Sequence, residues 1–467
     1  MKTPFVHIAF IGALLLGEAP AHSQEKAPPN IILILADDLG TLDLNSYGST
    51  DLETPNLDRL ATNGVRFTQF YAVAPVCSPS RAGLLTGKTN LGAGLVGNVQ
   101  IPEFDRDGKS GLPSSQLTIA EVLKRSGYYT ALVGKWHLGH AADKVPNAQG
   151  FDYFFGHQRG CIDNYSHYFY WAGPNKHDLF RNDEEVHYPG EYFAELMVNE
   201  IDEIVTADRT SPFFIYWAIN MPHYPYQGSQ RWAEHYQSMP SPRREYAAFV
   251  STMDEYIGKV LDKLAETGKD KNTIIVFQSD HGHSFEERAF HGGGNAGPYR
   301  GGKFSMFEGG IRVPAIIYYP PSIPSNQVRD QMVSGMDWFP TLATMAGAEF
   351  NPAAVEGKNL MPVLLNPNAP SPHQELHWQT GSFDDSKVSW AVRKDNWKLM
   401  GNPVDPSNNQ KFAERDRLFL VNLENDIGEQ TNLASSFPEK FEELLLLHQQ
   451  WLQKKRRSPN GENGDLY

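Results

Sequence analysis

The sequence predicts an α/β protein: a mainly parallel sheet flanked by helices, followed by a smaller C-terminal α+β subdomain. Three observations predict it. Short apolar, β-branched runs alternate with segments of helical periodicity, the signature of βαβ units. Four of those runs end in charged or imidazole side chains. After about residue 365 the pattern changes to closely spaced strands and a last amphipathic helix.

Residues 29–36 (PNIILILA) read as a buried parallel strand that stops at Asp37-Asp38. Asp58 to Asn63 is a helix ended by Gly64, and Leu117 to Arg125 is a helix closed by Gly127. Tyr128 to Val133 is the second strand and runs into Gly134, Lys135, Trp136 and His137. The third strand, residues 213–219 (FFIYWAI), leads to Pro222-His223. Residues 243–267 place Tyr246, Val250, Met253, Ile257, Leu261 and Leu264 at helical spacing. Asn272 to Phe277 then begins a strand that ends in Ser279-Asp280-His281. In open α/β sheets ligands bind at the carboxyl ends of strands, so these distant charged tips can meet along one edge. Residues 157–191 are rich in His, Tyr, Asp and Asn, lack periodicity and read as a long loop insertion. Residues 388–400 and 417–423 look like antiparallel strands, and Phe437 to Lys455 like a helix.

The bulk numbers bound the class. With 467 residues, 40% hydrophobic and 21% charged, the chain is globular and long enough for two or three domains. Residues 1–23 combine Lys2, a short apolar run over 5–17 and Ala21-His22-Ser23, which reads as a signal peptide cleaved after Ser23. A retained N-terminal anchor is the alternative. The expected product is periplasmic or secreted, with no integral membrane segment. The division expected is 24–365 for the large N-terminal domain and 366–467 for the C-terminal subdomain. The net charge of −14 disfavours nucleic acid as a partner. Two cysteines, Cys77 and Cys161, would ordinarily pair in an oxidising compartment, but the sequence around Cys77 argues against that and leaves Cys161 as a free, buried thiol.

Asp37 and Asp38 are adjacent carboxylates, which repel unless a cation or a proton lies between them. Taken alone they are a turn. Joined by Asp280 and His281 at another strand end, they suit a hard divalent cation, Ca²⁺ or Mg²⁺. Cys77 opens a helix, with Pro79 at an early helical position and Arg81 one turn along, so a thiolate nucleophile beside a metal is as far as the residues lead.

The run Cys77-Ser78-Pro79-Ser80-Arg81, continued by Ala82-Gly83-Leu84-Leu85-Thr86-Gly87, resembles the signature of type I, formylglycine-dependent sulfatases of the alkaline phosphatase superfamily. Asp37-Asp38-Leu39-Gly40, the block from Gly134 to Gly139, Pro222-His223, Asp280-His281-Gly282, Arg300-Gly301-Gly302-Lys303 and the block from Glu308 to Pro314 resemble further family blocks in family order. The resemblance runs from about residue 29 to 455. It implies an alkaline-phosphatase-like core and conversion of Cys77 to formylglycine by a maturation enzyme. It implies that Asp37, Asp38, Asp280 and His281 hold Ca²⁺ with the residue 77 oxygen. It also implies that one hydroxyl of the hydrated aldehyde attacks sulfur while the other lets the aldehyde reform and expel sulfate. Arg81 and Lys135 would stabilise the residue 77 oxygens, His137 would be the base, His223 the acid, and Lys303 would pin a sulfate oxygen. Retention of that set disfavours a non-catalytic glycan-binding protein. A phosphodiesterase or phosphonate hydrolase of the same superfamily remains a rival.

The expected substrate is a sulfated carbohydrate, an algal galactan or a glycosaminoglycan. Tyr165, Tyr168 and Trp171 are candidates for stacking on sugar faces. Arg159, Lys176, His177 and Arg181 are candidates for contacting further anionic groups. Packing of this loop against the core is the equal alternative.

Overall fold

The run Asn30–Ala36 lies at the centre of a parallel sheet because both its faces are apolar. Ile31, Leu33 and Leu35 pack into one buried cluster, and Ile32, Ile34 and Ala36 into a second on the opposite face. The computed structural model describes residues 27–381, 388–408 and 412–456, together with Met1 and Pro4. Apart from those two positions, the predicted signal peptide lies outside the described residues.

Among the described residues the central sheet has ten strands. Its parallel heart runs Thr273–Ser279, Asn30–Ala36, Phe213–Ala218, Tyr129–Lys135 and Tyr153–His157. On one side Ala315–Tyr318 pairs antiparallel with Thr273–Ser279 and leads to Val65–Phe67 and Gln327–Arg329. The helices Pro55–Asn63, Phe193–Thr206 and Arg243–Glu266 cover one face. Helix Ile119–Arg125 lies over the other, begun by a reciprocal pair of bonds in which Thr118 Oγ1 accepts from the Glu121 N–H and the Glu121 carboxylate accepts from the Thr118 N–H. The register sets Ala36 opposite Ser279, Leu35 opposite Ala218 and Ala218 opposite Gly134, so that Lys135, one step beyond Gly134, comes level with Ala36 and Ser279.

The segment read as a long loop differs from expectation. Tyr168–Phe169 pairs with Lys176–His177, and Phe180–Arg181 and Glu184–Glu185 extend the edge of the central sheet. Two-residue strands are too short to leave an alternating pattern in sequence.

Four antiparallel strands, Glu375–Gln379, Trp390–Lys394, Trp397–Gly401 and Leu418–Asn422, form the C-terminal sheet. Leu376, Trp378, Ala391, Met400 and Phe419 turn one face toward Tyr71, Phe307 and Ile311 of the main body. Trp390, Val392, Leu399 and Leu420 meet helix Pro438–Arg456 through Leu444 on the other. A buried ion cluster reinforces the first contact. Lys398 Nζ lies 2.9 Å from Glu308 Oε1 and 2.8 Å from Glu429 Oε1, and Glu308 Oε2 also takes Arg312 at 3.3 Å and the Tyr71 hydroxyl at 2.6 Å.

Candidate active site

The pocket is built where the strand ends converge. Asp37 and Asp38 follow the central strand, Lys135 closes the Tyr129–Lys135 strand, and Asp280 and His281 follow Thr273–Ser279. Cys77 is the first residue of helix Cys77–Thr86, whose ten residues are all buried. Gly83 permits that burial: a Cβ there would come 2.3 Å from Val73 Cγ1. Asp38 (φ 65°) and His137 (φ 53°) both hold left-handed backbone, which β-carbons disfavour and which persists at sites where the surroundings dictate it.

Opposite charges surround residue 77. Lys135 Nζ donates to Asp37 Oδ2 at 2.6 Å. The Arg81 guanidinium donates to Asp280 Oδ2 at 2.9 Å and lies 3.4 Å from Asp37 Oδ1. Lys303 Nζ donates to Asp38 Oδ2 at 3.0 Å and to His223 Nε2 at 3.3 Å. His281 Nε2 sits 3.3 Å from Cys77 Sγ. Burial alone would push the Cys77 thiol up, but Lys135 and Lys303 outweigh it and bring it down to about 6. Burial likewise opposes ionisation of Asp37, yet Lys135, with Arg81 and Lys303, holds its carboxyl well below the usual range. Burial pushes Asp38 up to about 8, against the pull of Lys303, and Asp280 up to about 6. Burial and then Lys135 keep His137 neutral, and burial and then Lys303 do the same for His223.

These residues fit a divalent cation. Asp37, Asp38, Cys77 and His281 each place a ligand atom within 4.8 Å of the others, and all four are buried. Asp38 Oδ1 is buried without a hydrogen-bond partner. Buried carboxylates pushed toward protonation, with an orphaned oxygen among them, are what a hard cation relieves. Asp280 stands just outside that set of four. Its Oδ1 accepts from the Asp38 N–H at 3.2 Å and its Oδ2 is drawn to Arg81, since a guanidinium offers a charge-assisted bond.

A cavity of about 120 Å³ opens over residue 77, with Cys77, His137, His223 and Lys303 in its wall. Cys161, Glu286, Trp171 and Phe304 also line it. Cys77 and Cys161 are both free thiols, and burial pushes Cys161 up to about 12. Arg159, His177 and Arg181 are not among the lining residues. Arg159 pairs with Glu103, His177 with Glu185, and Arg181 with Glu200 and the Tyr153 hydroxyl. Trp171 reaches the pocket, whereas Tyr165 stacks on Tyr192 and Tyr168 meets His177 edge-on. Glu286 and Phe304 escaped the sequence reading. Each follows a recognised block by a few residues, and that proximity is the only signal the sequence held.

Comparison with known proteins accords with this arrangement. The sulfatase family model matches residues 29–348, and a second, for the N-sulphoglucosamine sulphohydrolase C-terminal region, matches residues 300–456. Human N-acetylgalactosamine-6-sulfatase is 37% identical over 365 residues, spanning 73% of this chain and 67% of that protein. Human arylsulfatase A is 33% identical across 90% of this chain and 87% of its own length. Among solved structures, Ps i-CgsB, determined in complex with k-i-k-neocarrahexaose, superposes with a TM-score of 0.80 at 29% identity and covers 91% of this chain and 93% of that one. By these matches the chain belongs to the sulfatase family, and its activity is that of a sulfatase.

Proposed function

We propose that the chain hydrolyses sulfate esters of a sulfated carbohydrate, a galactan or glycosaminoglycan fragment, at the pocket over residue 77. One observation carries the reading: two strand ends and a helix start far apart in sequence bring Asp37, Asp38, Cys77 and His281 within 4.8 Å of one another, with Lys135, Arg81 and Lys303 alongside. The names of the matched proteins support a carbohydrate substrate, since one is an N-acetylgalactosamine-6-sulfatase and another was solved with a carrageenan oligosaccharide. When bound, Ca²⁺ or Mg²⁺ held by Asp37, Asp38, Asp280 and His281 would polarise the sulfate, and formylglycine made from Cys77 by a maturation enzyme would supply the nucleophilic oxygen.

The chain's own side chains do the rest. Lys135 and Arg81 fix Asp37 and Asp280 and set positive charge beside residue 77. Lys303 gives its ammonium to a sulfate oxygen. His137 is neutral and its Nδ1 has no partner among the described residues, which suits the acceptance of a proton from residue 77. His223 directs Nδ1 at the Tyr224 carbonyl, 2.7 Å away, and so turns Nε2 to Lys303. The Lys303–His223 pair delivers the proton that the leaving sugar oxygen takes. In the same reading residues 1–23 are a signal peptide, the product is periplasmic or secreted, and residues 24–365 and 366–467 are the two domains.

Turnover of matched aryl sulfate and aryl phosphate esters, with mass spectrometry of the peptide spanning residue 77, tests this. Faster sulfate release and an aldehyde at residue 77 are expected. Faster phosphate release, or an unmodified thiol in fully active protein, overturns it.

A further inference from the structure

A carboxylate in the wall of a sulfate pocket needs a reason, because it repels the anion the pocket must hold. Glu286 is such a group. It lines the cavity beside His223 and Lys303, and its side chain keeps 21% of its surface exposed. One oxygen is fully engaged: Oε2 accepts from the Ser284 hydroxyl at 2.9 Å and the Tyr224 hydroxyl at 3.0 Å, and lies 3.4 Å from Lys303 Nζ. The other oxygen, Oε1, has no hydrogen-bond partner among the described residues.

Contact with Lys303 does not by itself account for Glu286, since Lys303 lies closer to Asp38, at 3.0 Å, than to Glu286, at 3.4 Å. Its placement is specific instead. Tyr224, which holds it, packs its ring on His223 with centroids 4.3 Å apart, so Glu286 stands on the side of the pocket where the proton-delivering pair meets the leaving oxygen. On the carbohydrate reading the sugar, joined to the sulfate through that leaving oxygen, extends from that side.

We propose that Glu286 is a specificity-determining residue: Oε1 accepts a hydrogen bond from a free hydroxyl beside the sulfated carbon, and the negative charge excludes a second sulfate at that position. The inference rests on the carbohydrate reading above and names how the sugar is read.

The test compares wild type with Glu286→Gln and Glu286→Ala, all matured at residue 77. The substrates are 4-nitrophenyl sulfate, a panel of monosulfated galactose and N-acetylgalactosamine sugars, and their vicinally disulfated counterparts. Thermal melts confirm folding. On the monosulfated sugar cleaved by wild type, kcat/KM falls about tenfold or more in Glu286→Ala, chiefly through KM, and by a clearly larger factor than on 4-nitrophenyl sulfate. In Glu286→Gln the ratio of disulfated to monosulfated turnover rises, which a merely structural role would not produce. Equal losses on sugar and aryl substrates, or no loss on the sugar, overturn the assignment to Glu286 alone. Wild type that cleaves the aryl ester but no sugar overturns the carbohydrate reading and this inference with it. Should Glu286→Ala melt early, Glu286→Gln decides the matter by the same ratios.

Discussion

Two buried clusters of charge in this molecule use the same side-chain chemistry to opposite ends. At the seam between the main body and the C-terminal sheet, Lys398 lies between Glu308 and Glu429, and Arg312 and Arg393 close the remaining side of Glu308. Over residue 77, Arg81, Lys135 and Lys303 meet Asp37, Asp38 and Asp280, yet Asp38 Oδ1 is orphaned and the backbone is left-handed at Asp38 and His137. The seam supplies its own cation: Glu429 Oε1 also makes no hydrogen bond, but Lys398 stands 2.8 Å from it and joins the main body to the C-terminal sheet. The pocket leaves Asp38 Oδ1 without a hydrogen bond beside left-handed backbone, an arrangement that a bound cation would relieve. Burial alone distinguishes neither cluster; completeness does.

Four experiments separate the two. The largest effect belongs to the pocket: Cys77→Ala lowers sulfate-ester turnover by at least ~10⁴-fold while the melting curve barely moves, because a nucleophile is lost and little volume is removed. Next comes the seam: Lys398→Met leaves Glu308 and Glu429 buried without their shared cation and costs about 3–5 kcal/mol in chemical denaturation. The kcat of the folded fraction on an aryl sulfate stays within about twofold of wild type. A loss of kcat without a loss of stability would erase the comparison.

Third, excess Ca²⁺ raises the stability of the wild-type chain over that in chelator, by about 3 kcal/mol at a hundredfold excess over Kd. Asp38→Asn abolishes most of that gain, and a variant that keeps it would place the ion elsewhere. The smallest effect is in pH. Burial pushes Glu429 from 4.5 up to about 7, against the pull of Lys398, whereas Glu308 is brought down to about 2, its burial outweighed by Lys398, Arg393 and Arg312. Glu429 is raised in the folded state, so the folded chain binds the extra proton, and its contribution is lost as pH rises from about 4.5 to 7. Glu308 is lowered, so its contribution is present above about 4.5 and lost as pH falls toward 2. Denaturant melts at pH 5 and 7.5 therefore show wild type losing stability relative to Glu429→Gln, by on the order of 1–3 kcal/mol. An unchanged difference between the two pH values would assign the titration to another group.

Much of this molecule was legible in the chain. The strands Asn30–Ala36, Phe213–Ala218 and Thr273–Ser279 announce themselves because a sheet covered on both faces must be continuously apolar, and the helix Arg243–Glu266 does so by its period. The acidic pair, the lysines and the histidines stood out because charged residues at the tips of apolar runs are costly unless they are used. What the sequence could not decide is which of them touch. Arg159, His177 and Arg181 carry the same charge pattern as residues that reach the pocket, but nearby carboxylates claim them. Glu286 and Phe304 reach it with no motif of their own. Local pattern determines strands, helices and which side chains are too polar to bury idly; whether a buried charge is answered by a neighbour or left for a ligand depends on distances of a few ångströms between segments far apart in the chain, 265 residues between Asp38 and Lys303 and 322 between Tyr71 and Arg393, and only the packed tertiary structure sets those.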